Sequence, residues 1–228
     1  MDQFDKIILI LHIVAGFTSL AIFTIPVVVK KGSKLHNLVG KYYSYTMWVV
    51  VVTAFVLSIN NMIMEQYIIA AFLGFLSIIT AVPLWYGIAA VKYKMKAPLS
   101  FLRKKRFLYQ LVFFAGLGLF VFGLLTTVPN AKILMMIFGG LGLSNFKHAF
   151  KSIEKEQESY NWLNDHIEGM ITTGIAAYTA FLVFGGGQML GHMISGRFTI
   201  IFWVLPSIIG TLIIINMKKK FIKKPKTA

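Results

Sequence analysis

Long apolar runs dominate this chain, and short polar stretches punctuate them. Seven runs predict seven helical spans, at about 7–29, 34–59, 67–91, 107–128, 131–149, 162–185 and 198–217. Each can cross the roughly 30 Å of a bilayer core at about 1.5 Å per residue. The runs are continuous rather than alternating, which argues against a transmembrane β-barrel. The punctuation is specific. Lys30, Lys31 and Gly32 end the first run, and Ser33 is placed to cap the second. Pro83 predicts a kink in the third, Pro129 stops the fourth, and Pro206 and Gly210 fall inside the seventh. The mixed-charge segment from Lys151 to Glu158 reads as a solvated connector. Neither a second domain nor an internal repeat is evident. The expectation is one all-α bundle of seven transmembrane helices over residues 1–228.

Composition agrees with that pattern. The chain is 57% hydrophobic and 14% charged, with a mean hydropathy of +0.73, more apolar surface than a soluble domain of 228 residues can bury. The net charge of +15 would suggest nucleic acid in a soluble protein. Here the basic residues occupy loops, so topology and anionic lipid headgroups account for them and no nucleic-acid partner is expected. Every Lys and Arg except Lys6, Lys132 and Arg197 falls on one side of the predicted topology. That side is then cytoplasmic, with the N-terminus outside and the C-terminus inside a bacterial-type inner membrane. Met1-Asp-Gln-Phe-Asp-Lys6 lacks a basic n-region, so the first run is expected to be retained as a helix. The absence of cysteine excludes disulfides, thiolate metal sites, iron–sulfur clusters and covalently attached haem, and leaves histidine-ligated haem b open.

The densest ionisable chemistry lies in Asn161-Trp-Leu-Asn-Asp-His-Ile-Glu-Gly-Met170, which opens the sixth span. Ionisable groups at a membrane boundary are costly to desolvate and usually face a partner, a cofactor or water. Five histidines are candidates: His12, His36, His148, His166 and His192. His36, His148 and His166 fall at the cytoplasmic ends of three spans, level with Asp165 and Glu168. Three imidazoles with Asp165 suit a divalent metal, and two imidazoles suit a haem. The competing reading is structural, because a cation near a helix C-terminus and anions in a first turn are each favoured by about 0.3–1 kcal/mol. His12 shares a helical face with Ala15, Gly16 and Ser19, a small-residue face expected to point into the bundle. Its expected partner is His192, Thr126 or Thr127. Gly140, Ser144 and His148, with Asn145 beside them, form a similar expected face in the fifth span. His166, Gly169, Thr173, Ala176, Ala177 and Ala180 form one in the sixth. Such faces serve close helix packing, or leave room for a flat group beside a histidine ligand.

Leu11-His12-Ile-Val-Ala-Gly16 and Lys34-Leu-His36-Asn-Leu-Val-Gly40-Lys-Tyr-Tyr43 resemble an uncharacterised family of predicted bacterial multi-pass membrane proteins. That family has a histidine in its first helix, an H-R-x-x-G-x-x-Y-like motif opening the second, and a histidine followed by a methionine opening a later one. On this resemblance the matching positions are His12, His36, Gly40, Tyr43, His166 and Met170. Asn37 departs from it, standing where the family usually has arginine. The chain is also loosely similar to b561-type haem proteins in carrying histidines on several helices.

Other chemistries find no support in the sequence. The seventh span holds no lysine for a retinal Schiff base and no H-x-x-x-H pair of the ceramidase or adiponectin-receptor type. P-loop, GxSxG and HExxH motifs are absent. Gly185–Gly187 is not followed by GK[ST], and the Arg103–Arg106 cluster reads as a topology determinant and lipid anchor. The leading expectation is electron transfer through histidine-ligated haem b or a quinone, with a redox partner or a second copy of the chain as partners. The alternative is a small transporter or proton-coupled permease. In that case His12, Thr126, Asn145 and Asp165 would mark a polar path, and Pro83, Pro206 and Gly210 would break helices. A metal-dependent membrane hydrolase and a non-catalytic assembly protein complete the set.

Overall fold

The computed structural model describes residues 3–185 and 199–222. Among them it is all-helical, with no strand. The long helices are α1 (Gln3–Val28), α2 (Lys34–Ile63), α3 (Tyr67–Ala90) and α4 (Leu99–Leu125). They are followed by α5 (Pro129–Leu143), the short α6 (Phe146–Phe150) and α7 (Ile153–Glu158), then α8 (Trp162–Ala180), which runs into a π-helical turn at Phe181–Gly185. The last described helix is α9 (Thr199–Phe221). Six described helical segments are long and apolar enough to cross a membrane: α1 to α4, α5 with α6, and α9. α8 is not among them, because Asn164, Asp165, His166 and Glu168 make its first two turns polar.

Local chemistry explains the boundaries. Oγ of Ser33 accepts the backbone N–H of His36 at 3.2 Å, so Ser33 caps α2 as expected. Gly32 takes a φ of +74°, a left-handed conformation that suits glycine in the turn before that cap. α4 begins at Leu99, directly after Pro98, so the basic cluster at 103–106 lies inside its first two turns rather than before it. The fifth predicted span is divided. Ser144 Oγ donates back to Leu141 O at 2.7 Å and Asn145 Nδ2 donates to the same carbonyl at 2.8 Å. Side chains that compete for the carbonyls of the preceding turn end α5 there. α3 and α9 run unbroken through Pro83, Pro206 and Gly210, so these residues do not divide their helices.

The described residues form two compact units. The first draws on Met1–Ile13, Trp48–Val82 and Tyr93–Trp162. Its centre is the α4–α5 hairpin, where glycines let two backbones touch. A Cβ on Gly142 would lie 2.6 Å from Cα of Gly116, and one on Gly139 would lie 2.6 Å from the backbone nitrogen of Phe120. The buried face of α5 is therefore Met135, Gly139 and Gly142. The face expected through Gly140, Ser144 and His148 points elsewhere: a Cβ on Gly140 meets nothing within 4 Å, and Ser144 and His148 are exposed. In the same unit α7 keeps Glu154, Lys155 and Glu158 exposed, as a solvated connector should, but is fastened on its other side. Ser152 caps it by accepting the N–H of Lys155. Glu156 receives the buried Lys105 at 2.8 Å and Lys151 at 3.0 Å.

The second unit draws on Val14–Met47, Pro83–Lys92 and Leu163–Ala228. Here α8 lies against the end of α3, with a Cβ on Gly169 meeting the carbonyl of Pro83 at 2.5 Å and Cα of Gly87 at 2.6 Å. Gly174 accommodates the ring of Phe23, and Gly210 of α9 accommodates Ile175. Many large apolar side chains remain exposed, including Ile10, Val14 and Phe17 on α1 and Ile208, Ile209 and Leu212 on α9. A surface of this kind suits lipid and would be a liability in water.

Gly142→Ala should lower the thermal unfolding midpoint in detergent by an amount matching about 1–3 kcal/mol of overpacking, whereas Gly118→Ala, where a Cβ meets nothing within 4 Å, should leave it nearly unchanged. The Glu156 carboxyl is pushed up by burial, but the ammonium groups of Lys105 and Lys151 outweigh this and hold it below its ordinary value of 4.5. Its contribution is therefore complete above that ordinary value and is lost as pH falls through the lower folded one. Glu156→Gln should remove this acid-side loss, together with about 1–3 kcal/mol of stability at neutral pH, as read by thermal unfolding across pH.

Candidate functional site

The second unit brings two of the five histidines together. His36 stands in the first turn of α2 and His166 in the first turns of α8, with ring centroids 6.3 Å apart and planes inclined at 67°. Each ring is anchored by a backbone carbonyl at the end of another helix. His36 Nδ1 donates to Pro26 O of α1 at 3.1 Å, and His166 Nδ1 donates to Gly87 O of α3 at 2.9 Å. A carbonyl only accepts, so Nδ1 carries the proton in both rings. In the neutral imidazole Nε2 is then a lone-pair donor. Carbonyl-anchored Nδ1–H groups are the arrangement that orients metal-ligating histidines.

The surroundings are basic and polar. Lys31 donates its ammonium to Pro26 O at 2.6 Å and also to Val27 O, completing the C-terminal cap of α1. It is close enough to both rings to act on them electrostatically. Glu168 of α8 pairs with Lys218 of α9 and accepts from Asn164 Nδ2 at 3.0 Å. Asp165 is buried, next to His166 in sequence. Two turns further into α8, Tyr43 and Thr173 are fully buried and share a 2.8 Å hydrogen bond. Thr173 donates to Met170 O, so the tyrosine hydroxyl is the donor to threonine.

The other candidates lie in the first unit or outside the described residues. His12 Nδ1 meets Thr53 Oγ1 at 2.9 Å. Thr53 donates its own proton to Val49 O at 2.6 Å, so it accepts from the histidine. Thr53 is thus the partner of His12, in place of Thr126 or Thr127. One face of α1 does carry the buried Ala15 and Ser19, as expected. His148 is exposed and stacks on Tyr109, with centroids 4.9 Å apart and planes inclined at 21°. It belongs to the first unit, whereas His36, His166 and Asp165 belong to the second. His192 lies outside the described residues. Among the described residues no group of three or more His, Asp or Glu is disposed to hold a metal ion. Gly169 is filled by the backbone of α3, so it provides close packing and not a slot for a flat group. Gly40 meets nothing within 4 Å of a Cβ, and packing does not require glycine there.

Some polar partners escaped the sequence reading. Asn60 donates to the buried Asp5, Thr53 receives His12, and Ser19 donates to Thr46 at 2.8 Å. The signal was present as spacing: Asp5, His12 and Ser19 are seven apart, and so are Thr46, Thr53 and Asn60. Steps of seven keep one helix face towards a partner.

No family model, curated protein or solved structure matches the chain. The all-helical fold and six apolar helices of spanning length define it as a multi-pass membrane protein.

At about pH 8, above the ordinary imidazole range, ¹⁵N NMR of the ligand-free protein should find His36 and His166 as Nδ1–H tautomers. An Nε2–H tautomer at either residue would remove the paired lone-pair geometry.

Proposed function

We propose that the chain is a seven-helix electron-transfer protein of a bacterial-type inner membrane, N-terminus outside and C-terminus inside, holding haem b between His36 and His166. The imidazole pair is the observation that carries this reading. It supplies two neutral nitrogen donors, and haem needs only two from the protein. A hydrolytic zinc site needs three. The two rings lie with centroids 6.3 Å apart, and each uses Nδ1 for its carbonyl anchor, so these two residues would hold the group. Capping the helix ends occupies only Nδ1 and leaves Nε2 for a ligand.

When bound, the haem would supply one-electron chemistry at the cytoplasmic end of the bundle. The protein's share would be ligation and orientation: Pro26 and Gly87 fix the tautomers, and Lys31 offers a positive charge to an anionic edge of the cofactor or to a quinone. The seventh crossing in this reading is α8. Its 19 residues extend about 28 Å, close to the hydrocarbon thickness, and the π-helical turn lengthens it. Its polar first turns then sit at headgroup level, where the basic side of the topology also lies.

The test is a visible absorption spectrum of the detergent-purified protein, expressed with ample haem and recorded before and after dithionite. A Soret band that sharpens on reduction is expected. His36→Ala and His166→Ala should each abolish it while leaving membrane insertion intact, and His148→Ala should retain it. A colourless wild-type protein, or full haem occupancy in both ring variants, overturns the assignment.

A further inference from the structure

A cavity of about 350 Å³ opens in the second unit where α1 and α9 end. Its walls differ in chemistry. Val27, Val28, Met217 and Phe221 give an apolar side, and Lys30, Lys31 and Lys220 bring three ammonium groups to its edge. Among the described residues no carboxylate lines it. Lys31 is tethered by the carbonyls of Pro26 and Val27, and Lys220 rests 5.4 Å from the ring centre of Phe221. Burial lowers the Lys31 pKa, and the neighbouring charge of Lys220 lowers it further. Lys31 and Lys220 thus line one cavity from two different helix ends. Glu168 of α8 pairs with Lys218 of α9, two residues before Lys220.

We propose that this groove is a binding site for one anionic phospholipid, its phosphate placed between Lys31 and Lys220 and its acyl chains lying along Val27, Val28, Met217 and Phe221. The charge selects an anion and the apolar wall selects an amphiphile. A free phosphate would satisfy the lysines and leave the apolar wall uncovered. The volume is roughly that of a dozen liquid waters, enough for a headgroup and the first part of its chains, with the remainder of each chain in the bilayer. Position agrees as well, because two membrane-crossing helices end here, at the level where headgroups lie. A polybasic helix end gains attraction to anionic lipid from each lysine near the surface. What distinguishes this site is that tertiary structure brings the end of α1 and Lys220 of α9 to one cavity. The inference does not depend on haem.

The experiment uses full-length protein in detergent and three probes: phosphatidylglycerol, phosphatidylcholine with the same acyl chains, and inorganic phosphate. Lipid retention is read by native mass spectrometry. Phosphatidylglycerol should remain bound as one molecule per protein where phosphatidylcholine is stripped, and excess inorganic phosphate should fail to displace it. Lys220→Gln should weaken retention roughly fivefold, the effect of one lysine near an anionic surface, and Lys132→Gln should not. Lys31→Gln should weaken it too, but that variant also loses the cap on α1, so Lys220→Gln is the deciding one. Equal retention of both lipids, displacement by phosphate alone, or unchanged retention in Lys220→Gln each overturns the proposal.

Discussion

A polar group carried into hydrocarbon must find its partner inside the protein, and this demand organises the structure. It selects helices, whose backbone bonds close within each segment. It then decides how side chains meet. His12, Ser19 and Tyr43 each donate to a threonine hydroxyl whose own proton is already directed at a carbonyl one turn back. The threonines thereby act as acceptors, and a donor from another helix is matched without leaving a proton unpaired. Helix association in a bilayer gains little from the hydrophobic effect, so such bonds and close packing carry much of the specificity.

Close packing is the second half of that arrangement. Gly116 against Gly142 in the first unit, and Gly87 against Gly169 in the second, allow backbone contact at distances no side chain would permit. The second contact also matters for chemistry. It lays the first turns of α8 against the end of α3, so that His166 reaches Gly87 O. His36 reaches Pro26 O in the same manner at the end of α1. Two helix C-termini with unsatisfied carbonyls thus orient two imidazoles from the N-termini of two other helices. A device that closes helix ends also leaves a pair of nitrogen donors facing outward from their anchors.

The first unit shows the same economy without that consequence. Lys105 lies in a basic cluster that looks like a lipid anchor, yet its side chain turns inward to Glu156 and fastens α7 to α4. His148 stacks on Tyr109 of α4. Similar residues at similar depths in the sequence pattern therefore have different roles, according to which unit folds around them.

Hydrophobic run length determined the helices by itself, because a crossing segment must be long, apolar and internally bonded whatever its neighbours do. The cap at Ser33 and the inward side of α1 through Ala15 and Ser19 are equally local, and they were legible, whereas α4 ends at Leu125 and Pro129 opens α5 instead of stopping α4. The break at Ser144 and Asn145 and the start of α4 at Leu99 were local too, but they depend on side-chain bonds and a proline whose effect hydropathy masks. Which small residues touch, and which histidines meet, was not local. Gly139 and Gly140 are neighbours in sequence, and only the rotation of α5 against α4 chose Gly139. His36, His148 and His166 looked equivalent at one membrane level, and only the tertiary structure paired the first with the last. Periodicity states which face a residue is on; it does not state which helix that face meets.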